Sequence, residues 1–141
     1  MLTKAEVIAV VTDELKKAAY TIDAVEHGVD IVATHDQAHP AKRLVVVAQG
    51  EPGVASGGRI LGKRTKAGSV AFNIARALFK LKLAEASHRP QNPEVRYAFA
   101  FPKRTHEHLV RDTMPVLRQN AIGIFWVRPD RQVELESDWT L

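Results

Sequence analysis

The stretch Arg43-Leu-Val-Val-Val-Ala-Gln-Gly-Glu51 (RLVVVAQGE) decides the fold of this chain. Its nearly continuous apolar run is typical of a central strand that is buried on both faces of a sheet. Side chains along a strand repeat with a period of two, so Val47 and Gln49 are expected to lie on the same face. A strand of this kind needs a partner on each side, and the flanking segments predict those partners.

The segment before this strand predicts one helix and two strands. Thr3 is a suitable N-cap and Glu6 follows at capping-box spacing, which favours an amphipathic helix over residues 3–20. Residues 20–26 and 29–34 then predict two short strands. The central strand is therefore the third strand of the chain.

The segment after this strand predicts a helix that crosses over the sheet. Either Ala67 or Ser69 opens the helix, with Ser69 the better cap, and the helix reaches about Ser87. Apolar residues at helical spacing predict its core-facing side: Phe72, Ala75, Leu78, Phe79 and Leu83.

The rest of the chain predicts strands at residues 95–101 and 122–127 and a short returning strand at 132–136. Between the first two, Thr105 is predicted to cap a helix that reaches about Gln119 and that Pro115 kinks or shortens. Helices that alternate with strands after a hairpin predict a mixed central sheet flanked by helices, in one α/β domain. We expect that domain to span residues 1–141.

Composition limits the classes of protein to consider. The 141 residues, 45% hydrophobic and 26% charged, suit one globular domain. No apolar run approaches the ~20 residues needed to cross a bilayer, so we expect no membrane partner and a cytoplasmic protein. The absence of cysteine excludes disulfides, thiolate metal sites and cysteine nucleophiles. A net charge of +4 permits DNA or RNA as a partner without requiring it.

The element order, with the strands Gly28-Val-Asp-Ile-Val-Ala33 and Leu44-Val-Val-Val-Ala-Gln-Gly50, resembles the restriction-endonuclease-like superfamily, whose nuclease motif is written PD-(D/E)xK. The resemblance covers roughly residues 3–133 and implies an αβββαβ core. In that motif, two carboxylates on adjacent strands hold a divalent metal, which stabilises the charge that develops on a phosphodiester. A lysine two residues after the second acid steadies the nucleophile.

The resemblance places three residues of this chain at the motif positions. Asp30 stands at the first acid and is the candidate metal ligand, Val47 stands at the second acid, and Gln49 stands at the lysine. Some active members carry glutamine at the lysine position. A valine at the acid position is more damaging, because Mg²⁺ or Mn²⁺ needs charged oxygen ligands. Asp30 has a simpler alternative role, in which backbone amides or a nearby basic side chain hold its carboxylate.

Two other acids are candidates to replace the missing ligand. Glu51 would face the same way as Val47 but would lie about 13 Å further along an unbroken strand, at ~3.3 Å per residue, unless Gly50 bends the backbone. Glu14 is the second candidate, because members of the superfamily sometimes use an acid from the first helix. The candidate catalytic residues are thus Asp30, Gln49, Glu51 and Glu14.

A basic stretch after the central strand is the candidate nucleic-acid-binding segment. Four cations share this glycine-rich stretch: Arg59, Lys63, Arg64 and Lys66. Contacts to backbone phosphates require only such charges and carry no sequence information. The alternative is a solvated loop. For the histidines at residues 106 and 108, which the sequence places two apart on a helix, a solvated surface is the favoured interpretation.

Three hypotheses follow from the sequence. The first is a catalytically degenerate PD-(D/E)xK-like protein that binds nucleic acid and needs no cofactor. The second is an active metal-dependent nuclease that uses Mg²⁺ or Mn²⁺ in a rearranged site. The third is a structural or regulatory homodimer, formed through a sheet edge or through the tail that carries Trp139.

Overall fold

A computed structural model describes residues 1–24, 29–35, 37–38, 41–51, 76–83 and 94–141. Its elements, in chain order, are helix α1 (Lys4–Lys17), strands β1 (Thr21–Ile22), β2 (Ile31–His35) and β3 (Lys42–Ala48), the helical segment α2 (76–83), strand β4 (Glu94–Pro102), helices α3 (Lys103–Arg111) and α4 (Met114–Gln119), and strands β5 (Ile122–Val127) and β6 (Val133–Glu136).

The strands form a six-stranded mixed sheet in the order β1-β2-β3-β4-β5-β6. The first three strands are antiparallel neighbours, β3, β4 and β5 run parallel, and β6 returns antiparallel to β5. Parallel neighbours need a crossover connection, and helices lie at both of these crossovers. The predicted α/β class, with a mixed sheet flanked by helices, is confirmed, as is the central place of β3.

The helices cover opposite faces of this sheet, and two separate hydrophobic clusters result. On one face, Val7, Val11 and Leu15 of α1 are fully buried against side chains such as Leu44 and Phe125. On the other face, α2, α3 and α4 pack over a cluster of alternating strand residues: Val32, Val45, Val47, Phe99, Phe101, Ile124 and Trp126. Alternation along the strands sends neighbouring residues to opposite faces, which explains why β3 is apolar throughout.

The start of α1 follows the sequence pattern closely. The Thr3 N–H donates to Glu6 Oε2 at 2.7 Å, and the Glu6 N–H donates to Thr3 Oγ1 at 3.2 Å. This reciprocal pair is the predicted capping box, and it satisfies N–H groups that a helix start leaves without partners. The backbone bond also lowers the pKa of Glu6.

The prediction for α2 was wrong about which residues face the core. Ala77 and Leu81 are buried, whereas Phe79 is 65% exposed and Leu83 is 53% exposed. Of the predicted core-facing residues that are described, Leu78 alone packs against the core. The predicted start of this helix, with Phe72 and Ala75, lies outside the described residues.

The single helix predicted from Thr105 to Gln119 is in fact two helices. Pro102 occupies the N-cap of α3, three residues earlier than predicted. The second helix begins at Met114, with Pro115 in its first turn. Because proline lacks an N–H, it is tolerated in the first turn of a helix but not in the interior. Pro115 therefore lies at the start of α4, and α3 ends before it.

The tail that carries Trp139 packs on its own chain. Trp139 is only 8% exposed, and its Nε1–H donates to the Ala121 carbonyl oxygen at 2.9 Å. The absence of a side chain at Gly123 makes room for the ring, because a Cβ there would stand 2.6 Å from it. Trp139 therefore belongs to the core on the α1 face. No helix in the described ranges is both long and apolar enough to cross a membrane.

Candidate functional site

The candidate site lies at the sheet edge where β3 and β4 end and β2 begins. Because β3 and β4 are parallel and β2 is antiparallel to both, residues 30, 49–51 and 103–106 come to the same edge. The start of α1 lies there too, since the Glu51 N–H donates to the Leu2 carbonyl oxygen at 2.8 Å. A Cβ on Gly50 would stand 2.4 Å from the backbone nitrogen of Lys4, so only glycine allows the two backbones to approach this closely.

Both oxygens of the Asp30 carboxylate are held by donors from the protein. Oδ2 accepts from the Ala48 N–H at 2.7 Å, and Oδ1 lies 2.9 Å from Lys4 Nζ. The Asp30 N–H in turn donates to the Val46 carbonyl oxygen at 2.9 Å. With a side chain only 13% exposed, Asp30 is a fixed anion that a backbone amide and an ammonium group bind between them.

Val47 stands opposite Asp30 by extension of the β2–β3 register and is fully buried in the hydrophobic cluster under α2. At the position where the resemblance places the second acid of the motif, the side chain is therefore a hydrocarbon without a ligand atom. Among the described residues, no group of three or more histidine or acidic side chains is placed to hold a metal ion.

Of the other candidate catalytic residues, Gln49 lies at the same edge as Asp30, whereas Glu14 does not. The Gln49 N–H donates to the Ala100 carbonyl oxygen at 3.0 Å, which ties this half-buried residue to β4. Glu14 follows Lys4 by ten residues on α1, about 15 Å along the helix axis, and its carboxylate lies 4.0 Å from Lys17 Nζ. The structure therefore places Glu14 near the opposite end of α1 from Asp30.

Glu51 is buried at the same edge, but a different cation binds it. Its side chain is 3% exposed, and Arg104 donates to both carboxylate oxygens, Nη2 to Oε2 at 3.0 Å and Nε to Oε1 at 3.3 Å. This paired geometry is the stronger form of a guanidinium–carboxylate contact. The hydrogen bond to Glu51 raises the pKa of Arg104.

His106 is a buried residue at this edge that the sequence had suggested to be solvated. Its ring stacks on Phe101 with centroids 4.8 Å apart, and Nδ1 lies 2.9 Å from Thr105 Oγ1. Nε2 is buried, and no residue in the described part of the chain forms a hydrogen bond with it. Burial lowers the pKa of His106 to about 4, although the Glu51 carboxylate opposes the shift. The spacing of His106 and Val110, which are the buried residues of α3, was the available sequence signal.

Helix α2 brings a further cation, Lys80, within electrostatic reach of Asp30, and the sequence interpretation had not singled it out. Burial lowers the pKa of Lys80, and the charges of Lys4 and Arg76 lower it further, while Asp30 opposes the shift. Lys80 therefore lies within electrostatic reach of Lys4, Arg76 and Asp30. The available signal was the four-residue spacing of Arg76 and Lys80, which places both on one side of a helix.

The basic segment proposed for nucleic-acid binding, with Arg59, Lys63, Arg64 and Lys66, lies outside the described residues. It leads directly toward α2 in the chain. Between Glu51 and Glu85 the sequence contains arginines and lysines but no aspartate or glutamate.

Comparison with solved structures finds the same fold in two cyanobacterial proteins. An XisH family protein from Nostoc punctiforme superposes with a TM-score of 0.56 at 13% identity, over 92% of this chain and 96% of that one. An fdxN element excision controlling factor from Anabaena variabilis gives a TM-score of 0.55 at 14% identity, over 94% of this chain and 98% of that one. No protein-family model matches the sequence, and no curated protein matches it either. At such low identities the likeness shows a shared fold.

Proposed function

We propose that this chain is a catalytically degenerate, restriction-endonuclease-like protein that binds nucleic acid without cutting it. The observation that carries the proposal is the Lys4 ammonium group, 2.9 Å from the Asp30 carboxylate. A positive group of the protein itself neutralises the acid that a nuclease of this kind would use to bind a metal. The interpretation of the fold as a nuclease scaffold rests on the element order and on the resemblance at β2 and β3.

The geometry at Asp30 argues against a divalent cation at this corner. A hard cation such as Mg²⁺ takes six oxygen ligands, and proteins that bind it supply charged carboxylates. Here one Asp30 oxygen accepts from a backbone amide and the other faces Lys4, while Val47 offers no ligand atom. A metal would have to displace the ammonium group and would then have one carboxylate.

The distribution of charge supports nucleic acid as the partner. Lys4 lies 2.9 Å from the Asp30 carboxylate, and Lys80 lies within electrostatic reach of both. In the sequence, the segment between Glu51 and Glu85 contains basic residues but no acidic ones. Neutralisation of backbone phosphates by such side chains supplies most of the affinity of non-specific binding. One of the structures with this fold is described as a factor that controls excision, a function that fits binding without cleavage.

The two alternatives have weaker support. For an active nuclease, Glu51 would have to supply the second acid, but Arg104 holds both of its carboxylate oxygens. For a homodimer formed through the tail, Trp139 would have to be available, but it is buried on its own chain. Neither alternative explains the cations around Asp30.

A combined cleavage and binding assay tests the proposal. Plasmid DNA, duplex DNA and RNA are incubated with the protein and Mg²⁺ or Mn²⁺, and binding of labelled duplex is followed by fluorescence anisotropy at two salt concentrations. We expect no cleavage with either metal, and binding that weakens steeply with salt in wild type and Asp30→Ala alike. Cleavage by the wild type that Asp30→Ala abolishes would overturn the proposal, as would the absence of any binding at low salt.

A further inference from the structure

We infer, resting on the proposed function, that the outer face of α2 binds single-stranded nucleic acid. Phe79 stacks on an unpaired base, and Arg76 and Lys80 contact the phosphates beside that base. All three residues belong to the helical segment 76–83, whose sequence is RALFKLKL. The proposed function covers nucleic acid in general, whereas this surface selects strands that are not paired.

The exposed ring of Phe79 points to a binding surface. Its side chain is 65% exposed, and it is the only exposed aromatic residue in the ranges that the structure describes. Leu83 is 53% exposed and lies four residues later, so the two apolar side chains are neighbours on one side of the helix. Apolar surface in contact with water is unfavourable, and a contiguous exposed patch of it is typical of a site that binds a partner.

The geometry of the helix places two cations next to this ring. The side of α2 that faces the sheet carries the buried residues Ala77 and Leu81. At 3.6 residues per turn, Arg76 lies about one turn before Phe79 on the opposite, outer side. Lys80 is the next residue after Phe79 and is half-buried at the flank of the same face. A guanidinium and an ammonium group thus lie on either side of the exposed ring.

An aromatic ring between cations fits an unpaired strand better than a duplex. In a duplex, neighbouring bases cover both faces of each base, so a ring on the protein surface has no base face to contact. A single strand presents those faces, which stack on aromatic side chains while arginine and lysine bind the backbone. Because every base has such a face, we expect binding with little sequence preference.

The charge of α2 argues against a second copy of this chain as the partner. Pairing of two α2 helices through Phe79 and Leu83 would bring Arg76 and Lys80 of one chain toward the same residues of the other. Like charges placed opposite each other across an interface repel. The described part of α2 contains three basic residues and no acidic one, so its outer face is complementary to a polyanion.

The test replaces the ring and keeps the charges. Phe79→Leu retains an apolar side chain but removes the aromatic face, and circular dichroism confirms folding. Fluorescence anisotropy measures the affinity for a labelled oligothymidylate and for a duplex of the same length. For the single strand we expect a loss of about tenfold, which is typical of one stacked base, and for the duplex a change within about twofold. Val116→Ala, at another exposed apolar residue, is the control and should leave both affinities unchanged.

A second variant keeps an aromatic ring and reports on it. Phe79→Trp should retain the single-strand affinity, and the fluorescence of the introduced tryptophan should be quenched by oligothymidylate, since Trp126 and Trp139 are buried. Unchanged single-strand binding by Phe79→Leu, or absence of quenching in Phe79→Trp, would overturn this site and leave nucleic-acid binding intact. A wild-type dimer that Phe79→Leu converts to a monomer would also overturn it. Absence of any nucleic-acid binding by the wild type would overturn the proposed function as well.

Discussion

Two acids lie at the same sheet edge, and each is bound by a basic side chain in a different way. Glu51 is buried, and the planar guanidinium of Arg104 covers both of its oxygens. Asp30 is 13% exposed, and its charged partner is the ammonium group of Lys4, with Lys80 within electrostatic reach. One cation therefore binds both oxygens of Glu51, whereas a backbone amide and an ammonium group share the two oxygens of Asp30.

This difference separates a structural ion pair from a candidate binding site. A buried acid with a two-fold contact contributes to the stability of the fold, and its removal leaves polar groups without partners. A more exposed acid that binds one ammonium group leaves that group with hydrogens it can donate to a ligand. We therefore expect substitutions at Glu51 to act on stability and substitutions at Asp30 to act on binding.

The largest effect is expected from introducing an acid at position 47. Val47→Glu places a carboxylate in a fully buried hydrophobic cluster, and we expect a loss of about 4 kcal/mol in the free energy of unfolding. Urea denaturation measures this loss, and Val47→Ala is the control for lost packing alone.

The same substitution tests whether the scaffold can still hold a metal. In the double variant Lys4→Ala/Val47→Glu, two carboxylates face each other without the competing ammonium group. We expect Mn²⁺ to raise the melting temperature of this variant and to leave the wild type unchanged. Stabilisation of the wild type by Mn²⁺ would contradict the idea that Lys4 replaces the metal.

The second-largest expected change in the free energy of unfolding occurs in mild acid, where His106 becomes protonated on unfolding. Its pKa is about 4 in the folded protein and near 6.5 in an unfolded chain, so the unfolded state binds the proton more readily between these values. The contribution of neutral His106 to the free energy of unfolding is therefore complete above pH 6.5. It is lost as the pH falls toward 4, which lowers the free energy of unfolding by about 3 kcal/mol.

Urea denaturation of wild type and His106→Phe at pH 7 and at pH 4.5 measures this contribution. The phenylalanine ring can still stack on Phe101 but does not titrate. We expect the variant to lose less stability than the wild type over this pH range. Equal losses would show that His106 does not contribute to the acid sensitivity.

The third effect concerns Glu51 itself. Glu51→Ala removes a charged double hydrogen bond from a buried position, and we expect a loss of about 2 kcal/mol. Thermal melting gives the change. We expect duplex binding to remain within about twofold of wild type, because the proposal assigns the pair of Glu51 and Arg104 to the stability of the fold and not to the nucleic-acid surface. A large gain in nucleic-acid affinity would show instead that Glu51 masks a phosphate contact at Arg104.

Local signals in the sequence predicted much of the fold. The Thr3 and Glu6 capping box, the continuous apolar run of β3 and the strand at residues 122–127 each depend on neighbouring residues, and each is confirmed. The orientation of α2 was predicted incorrectly because apolar residues occur on more than one of its sides. Residues 77–79, 81 and 83 are all apolar, so periodicity alone does not fix which of them face the sheet.

The candidate site could be predicted only in part, for a related reason. The resemblance identified Asp30 and Val47, and the sequence alone offered a basic partner as one alternative for Asp30. That this partner is Lys4 depends on packing, since the contact joins the start of α1 to a residue 26 positions later. The approach of Lys80 to Lys4 and Asp30 likewise depends on how α2 lies across the sheet.

The smallest effect on stability is expected at Asp30, where the contrast with Glu51 is most direct. Asp30→Asn preserves an acceptor for the Ala48 N–H and releases Lys4 to water, so we expect a loss of about 1 kcal/mol or less. Urea denaturation beside Glu51→Gln, the matched acid-to-amide change, gives the comparison. Glu51→Gln should lose more stability, because its buried amide cannot match both donors of Arg104. If Asp30→Asn proved the more damaging of the two, then Asp30 would be the structural acid of this edge, and the cations around it would be explained by the fold rather than by a ligand.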